Sequence, residues 1–544
     1  MSDPISSVTI VGGGTAGWLA ALLLNHTLGK NPKTGKPIKV TLIESPNIPT
    51  VGVGEATVPG MPRTLKECGI SEQQFFSACN SSFKLGVLFD HWNVDEHGKP
   101  IQFVNPFESP PPLKGLDLAN YFLRFGAGDL DFVHLSAPCL DLREGMRGPR
   151  GFRAPEFQRD VNFAYHLDAG KFAALLRDQC VAKGVEHVFD NLQDVELNEE
   201  GNVAALHLEK EGRRLVELVL DCTGFRGLII NQALGSEFID YSRYLANDKA
   251  MAVQIPHQSD QIEPMTRSTA LGAGWTWRVP LYNRIGTGYV YSSAHRSDEQ
   301  AREEFLKWLG PAGRNAEPRI IPMRVGRNRK LWVKNCVAVG LSGGFIEPLE
   351  STAIHMIEMA VRFLITYFPD TSYAAPLRQR FNQQMENLYD EVRDFICLHY
   401  TLNNRTDSDY WIDAREQLEV PDTLAENLEL WRHVLPGHYD LKNGSLFSVY
   451  TYHTVLLGKR VYEMGYAAPN FGSVLDLDED AWWEFVANRR AHFASIAEKS
   501  ADHRHLLRDI RGELGSRERR TLERGGQLEM PMMSQNDQAE TALL

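Results

Sequence analysis

The stretch from Ser7 to Leu24 limits the possible fold more than any other. Val8-Thr-Ile-Val11 reads as a buried strand, Gly12-x-Gly14-x-x-Gly17 turns the chain, and Trp18 to Leu24 continues as an apolar run of helical character. In that order the glycines do different things. The first permits a tight turn, the second lets the backbone approach a pyrophosphate, and the third lets helix and strand pack closely, while unpaired N–H groups at the helix start face the phosphates. Lys39 to Ile43 is the expected second strand, and Glu44 at its end is placed to accept hydrogen bonds from a ribose. The polar segment Gly29 to Lys36 explains why Glu44 lies farther from Gly17 than the usual ~20 residues. Gly12, Gly14, Thr15, Ala16, Gly17 and Glu44 are therefore candidate dinucleotide contacts. The competing account, a tight turn with nothing bound, weakens only as later elements are added.

The chain has 544 residues, enough for two domains around a deep site. A net charge of −13 argues against a nucleic-acid partner, which needs clustered positive charge. The longest apolar run is far short of a membrane span, and the N-terminus passes at once into the first strand, so a cytoplasmic protein is expected. Seven cysteines stand singly, without C-x-x-C spacing, which implies reduced and mostly buried thiols. The histidines show no metal spacing, and no metal is expected.

Taken in order, Val51-Gly-Val-Gly-Glu55-Ala56-Thr-Val-Pro59 suits a loop passing close to a ligand, although a plain surface loop fits it too. Ser71 to Ala78 looks helical. Lys84 follows among apolar neighbours; its side chain either snorkels to the surface, the commoner outcome, or is held in a cavity. Gly98 to Pro112, with Asn105 and Phe107, is expected to be an irregular aromatic loop. Asp168 to Lys183 is a capped helix, and Val195 to Leu220 reads as an antiparallel meander of three strands ending at a glycine turn, Asp221-Cys-Thr-Gly224.

Further along, Trp275 and Trp277 share one face of a strand and form either a wall or an ordinary packed pair. Val337 to Gly340 is one more strand, turning at Leu341 to Phe345, and Glu347 to Thr352 opens a long apolar helix whose start can hold a small anion. Beyond Pro369 the pattern becomes helical, with an aromatic stretch at Phe447 to His453, Tyr462 and Tyr466. The expected division is an α/β dinucleotide-binding domain at 1–370, a mostly helical substrate-covering domain at 371–510, and a flexible tail at 511–544.

Six motifs together make the chain resemble the flavin-dependent tryptophan halogenases. They are Gly12 to Trp18, Gly52 to Thr57, Phe83-Lys84-Leu-Gly86, Trp275-x-Trp277-x-Val279-Pro280, Glu347-Pro-Leu-Glu350-Ser-Thr352, and Asp394-Phe-Ile-x-Leu-His399-Tyr400. The resemblance implies an FAD-dependent monooxygenase-like dinucleotide-binding fold, with FAD reduced by a separate flavin reductase and arriving by diffusion, dioxygen, a chloride or bromide ion, and a small aromatic substrate. A homodimer is left open. Hypohalous acid would travel down an internal tunnel to Lys84, a hydrogen-bond donor or haloamine, beside Glu350, which would orient the oxidant or take the ring proton. Glu55, Ala56 and Leu341 would join the flavin contacts, Thr352 and Ala353 would hold halide, and Trp275, Trp277 and Phe345 would wall the tunnel. Asn105, Phe107, Tyr452 and His453 would meet the substrate.

Three departures bear on specificity. Ala353 stands where members usually have glycine, Asn105 stands where tryptophan-specific members place histidine, and Tyr452-His453 is followed by Gly458 and Lys459 where an acid would bind the substrate ammonium. An indole or another electron-rich aromatic is therefore expected in preference to free tryptophan. A flavin-dependent aromatic hydroxylase and a non-catalytic flavin sensor are the competing readings.

Overall fold

The computed structural model describes residues 3–48, 54–442, 444–463 and 475–523. The first strand, Ser7–Val11, lies inside a six-stranded sheet, with Lys39–Glu44 on one side and Leu218–Asp221 on the other, all three parallel. Strand Glu186–Phe189 extends the sheet past Lys39–Glu44, and Cys336–Ala338 pairs with Leu218–Asp221. Helix Thr15–Thr27 and helix Ala169–Ala182 pack against each other on this sheet. Asp168 caps the second helix by accepting from the Lys171 N–H at 3.1 Å, as its position in the sequence implies.

The meander needs correction. Leu192–Leu197, Val203–Leu208 and Gly212–Leu215 form the three-stranded antiparallel sheet, whereas Leu218–Asp221 leaves it for the parallel sheet. The run from Leu215 to Leu220 is thus the end of one strand and most of another, parted at Val216 and Glu217, where the Glu217 carboxylate accepts from the Ser6 and Ser7 N–H groups.

A second sheet of seven strands carries Gly274–Pro280 near its centre and ends in the pair Gly86–Val94 and Pro100–Pro106. Phe103 and Asn105 therefore sit on a strand, not on the irregular loop expected. The prolines at its two ends are compatible with an edge position, where one side of the ladder needs no partner. That edge is covered by helix Val449–Gly458, which shields it from unwanted pairing.

Helices Ala353–Thr366 and Ala375–Thr401 run on from the sheets, and apolar residues from both parts of the chain, Trp18, Phe89, Phe395 and Trp411 among them, belong to one buried cluster. Helix Glu479–Lys499 docks on short helices at 118–144, with Trp482 stacked on Tyr121 at 5.7 Å. Within the expected tail, Ser516–Glu523 is helical and held by Arg153 pairing with Glu523; residues 524–544 lie outside the described residues, as do Tyr466 and residues 49–53. No helix among the described residues is long and apolar enough to cross a membrane.

Candidate active site

The glycine turn has the geometry of a ligand cradle. Gly12 holds φ +122°, and a Cβ there would lie 2.1 Å from the Cys222 carbonyl oxygen; a Cβ on Gly17 would lie 1.9 Å from the Gly12 carbonyl oxygen. Both positions admit only glycine. Gly14 differs, because nothing lies within 4 Å of the place its Cβ would take, and no side chain caps the helix it begins. With no side chain capping it, the helix start leaves the N–H groups of Thr15 and Ala16 available to an anion, which fits a dinucleotide pyrophosphate. Glu44 folds back beside Gly13 and is bonded to His187 Nε2 at 2.9 Å. Leu341, on the turn Gly340–Ser342, is an exposed apolar side chain.

A short three-stranded sheet links this end to the next. Ala164–Asp168 pairs with Gly54–Ala56 on one side and with Ser82–Lys84 on the other. Gly54 lies directly on Gly286, backbone against backbone, so strand Gly54–Ala56 is seated on the second sheet. Glu55 occupies the middle of that strand, and burial pushes its carboxyl up to about 7.

Lys84 does not snorkel. Its side chain is fully buried, Nζ donates to the Thr57 carbonyl at 3.1 Å, and the same nitrogen stands 5.3 Å from the centre of the Phe107 ring. Phe83 and Leu85 on either side of Lys84 are buried as well, and strand Ser82–Lys84 pairs with the buried strand Ala164–Asp168, so the apolar neighbours belong to the interior. Burial lowers the ammonium to about 7, opposed by the charge of Glu350.

Glu350 lies in the turn before helix Ala353–Thr366, not in its first turn. It is buried, and each oxygen receives one donor: Asn105 Nδ2 at 3.0 Å and His399 Nε2 at 3.1 Å. His399 comes from helix Ala375–Thr401 and stacks on Phe89, with ring centres 4.7 Å apart. Burial lowers its imidazole, while the Glu350 carboxylate acts in the opposite sense. The left-handed backbone at this turn falls on Ser351, φ +60°, a conformation that costs a non-glycine residue about 1 kcal/mol or more. Ala353 simply begins the helix, so its methyl group meets no backbone strain. Thr352 beside it is buried and makes no side-chain cap, leaving the helix start available to an anion.

Of the aromatic wall, Trp275 is fully buried and donates from Nε1 to Glu347 Oε2 at 2.7 Å. Trp277 packs 6.3 Å away on the same strand face, and Phe345 sets its edge on Phe225 at 5.6 Å. Tyr452 and His453 are placed in the helical layer: Tyr452 sits on Phe395 and Trp431, and His453 Nε2 donates to the Pro436 carbonyl at 2.8 Å. The structure thus brings Lys84, Glu350, Asn105 and Phe107 together, and links Tyr452 to Glu350 through Phe395 and His399.

The sequence reading passed over several members of this constellation as site residues. Glu347 is buried and receives Trp275, Asn247 and Tyr400, while Lys459 is buried with Nζ on Asn93 and on the His399 carbonyl at 3.2 Å. Glu347 belongs to one of the six motifs and Lys459 to the stretch that departs from the family, and only the fold shows that both are inside. Among the described residues no cluster of histidine, cysteine or acidic side chains could hold a metal.

Comparison with known proteins decides the family. The tryptophan halogenase family model matches residues 7–469. This chain belongs to the tryptophan halogenase family. It is 37% identical over 452 residues to the tryptophan 6-halogenase ThaL of Streptomyces albogriseolus, covering 80% of this chain and 83% of that one. The tryptophan 7-halogenase RebH of Lentzea aerocolonigenes is 36% identical over 450 residues, covering 79% and 83%. In structure it superposes on BrvH, a flavin-dependent halogenase from Brevundimonas sp. BAL3, with a TM-score of 0.81 and 37% identity, over 93% of this chain and 99% of that one. The protein is a flavin-dependent halogenase, an α/β enzyme that uses reduced FAD, dioxygen and halide, with reduced flavin supplied by a separate reductase.

Proposed function

We propose that this halogenase acts on an indole or a comparable electron-rich aromatic in preference to free tryptophan, with Lys84 and Glu350 at the point of reaction. The observation that carries the reading is the buried pair itself: one lysine at about 7 and one carboxylate, set around Asn105 and Phe107.

Gly12, Gly14, Thr15, Ala16, Gly17, Glu44, Glu55, Ala56 and Leu341 would hold the flavin, and bound reduced flavin supplies, with dioxygen and halide, the hypohalous acid. Thr352 and Ala353 would seat the halide. Trp275, Trp277 and Phe345 would line the passage and keep the aromatic substrate from the flavin. At the far end the ring carbon attacks the halogen of the acid, forming the carbon–halogen bond and breaking the oxygen–halogen bond. The Lys84 ammonium, directed by Thr57, donates toward the departing hydroxide, and Glu350 takes the proton that the ring carbon must lose. Asn105 and His399 fix that carboxylate in place. Where an ammonium-binding acid would be needed, the chain has Gly458 and a Lys459 turned inward to Asn93, so a zwitterionic amino acid finds no partner there.

Mass spectrometry of indole incubated with reduced flavin, dioxygen and bromide or chloride tests this reading. A halogen isotope pattern supports it, an added oxygen instead of halogen would make the enzyme a hydroxylase, and equal turnover of tryptophan and indole would overturn the substrate preference. A cytoplasmic homodimer completes the proposal, and light scattering of the purified protein checks the assembly.

A further inference from the structure

Asn105 carries an atom the site does not use. Its Nδ2 is taken by Glu350, but its Oδ1 is buried without a hydrogen-bond partner, on a residue only 6% exposed. The orientation of the amide follows from its neighbour: turning it over would set Oδ1 against a carboxylate oxygen and lose the only bond the side chain makes. The orphan is therefore an acceptor, and a buried acceptor without a donor destabilises the folded chain until a donor reaches it. No neighbouring donor reaches this oxygen. His399 Nε2 faces Glu350, which leaves a lone pair, not a proton, on its equally unpartnered Nδ1, and Lys84 Nζ gives one N–H to the Thr57 carbonyl and none to Asn105. Phe107, two residues along the chain, offers an aromatic face beneath Lys84.

We propose that Asn105 is a specificity-determining residue, whose Oδ1 accepts a hydrogen bond from an N–H or O–H carried by the aromatic substrate itself. The inference rests on the proposed indole-type activity and narrows it: among electron-rich aromatics, those bearing their own ring donor are selected. One amide then serves two purposes. Its nitrogen holds Glu350, and its oxygen orients the ring against Phe107 so that the carbon to be halogenated lies between Lys84 and Glu350.

The test compares indole with 1-methylindole, which keeps the electron-rich ring and loses the donor. Calorimetric binding constants and kcat/KM for halogenation are measured for the wild-type enzyme and for Asn105→Leu, which branches like asparagine but has no acceptor; Asn105→Ala, which also lacks one, is the second variant should the first fail to fold. Wild-type enzyme is expected to favour indole by about tenfold or more in both readings, and the variants to bring that ratio to within about twofold of one. Loss of the Nδ2 bond to Glu350 lowers turnover of both compounds alike and does not move the ratio. A wild-type ratio near one, or a preference that survives in Asn105→Leu and so reflects only the bulk of the methyl group, overturns the proposal. Failure of indole to bind overturns it too, whereas indole that binds with the expected preference but is not halogenated counts against the function alone.

Discussion

The two ends of this protein are built from different materials. At the glycine turn the backbone makes the site: Gly12, Gly14 and Gly17 lie within six residues of one another, and their meaning is carried by the absence of side chains. At the lysine end, side chains make it, and Lys84, Asn105, Glu350 and His399 arrive from four separate segments. A backbone site is local and can be damaged by adding one methyl group. A side-chain site is assembled by the whole fold and can be emptied by removing one amine.

The largest expected effect comes from that removal. Lys84→Ala should lower halogenation by about 10²–10⁴-fold, the range for loss of a positioned proton donor. Flavin binding should be unchanged, since Lys84 belongs to the other end. Product formation by chromatography and flavin titration by fluorescence read the two ends separately. Full halogenation by the variant would remove Lys84 from its role.

Next come the glycines, which divide by geometry. Gly17→Ala forces a methyl into a backbone oxygen 1.9 Å away and should lower the melting temperature by several degrees, as overpacking costs about 1–3 kcal/mol. Gly14→Ala has open space, so the melting temperature should hold within about a degree while flavin affinity falls about tenfold, through a methyl placed where a pyrophosphate approaches. Equal flavin affinity in Gly14→Ala and wild type would detach this turn from the cofactor.

The same contrast explains what could be read from the sequence. The turn, its flanking strand and helix, and Glu44 were legible because their constraints are local and periodic. Lys84 was visible as a residue but not as a buried one, since three flanking apolar residues look alike on a surface and in a cavity. Asn105 was visible as a departure from the resembled family, yet its strand was not, because proline and phenylalanine suggest a loop until a covering helix from residue 449 onward is in place. His399 and Lys459 needed the fold altogether: nothing near them in the chain says that one faces Glu350 and the other the His399 carbonyl.

Lys459 offers the smallest effect and the finest test of the comparison. Like Lys84 it is fully buried, and burial alone lowers it to about 7. Both lysines therefore lose a proton in the folded chain that the unfolded chain keeps until about 10.5. Below pH 7 both states are protonated and the cost of burying the charge is present in full. As pH rises from about 7 toward 10.5 the unfolded state binds the extra proton, so each lysine makes stability rise with pH, by at most about 1.4 kcal/mol per pH unit. Lys459→Met should flatten this rise while leaving the contribution of Lys84 intact. Denaturant midpoints at pH 7, 8 and 9 measure the slope. An unchanged slope would mean that Asn93 and the His399 carbonyl keep Lys459 charged throughout, making it a fixed cation behind His399; a flattened one leaves it a neutral amine, and the Glu350–His399 pair then works without a compensating charge behind it.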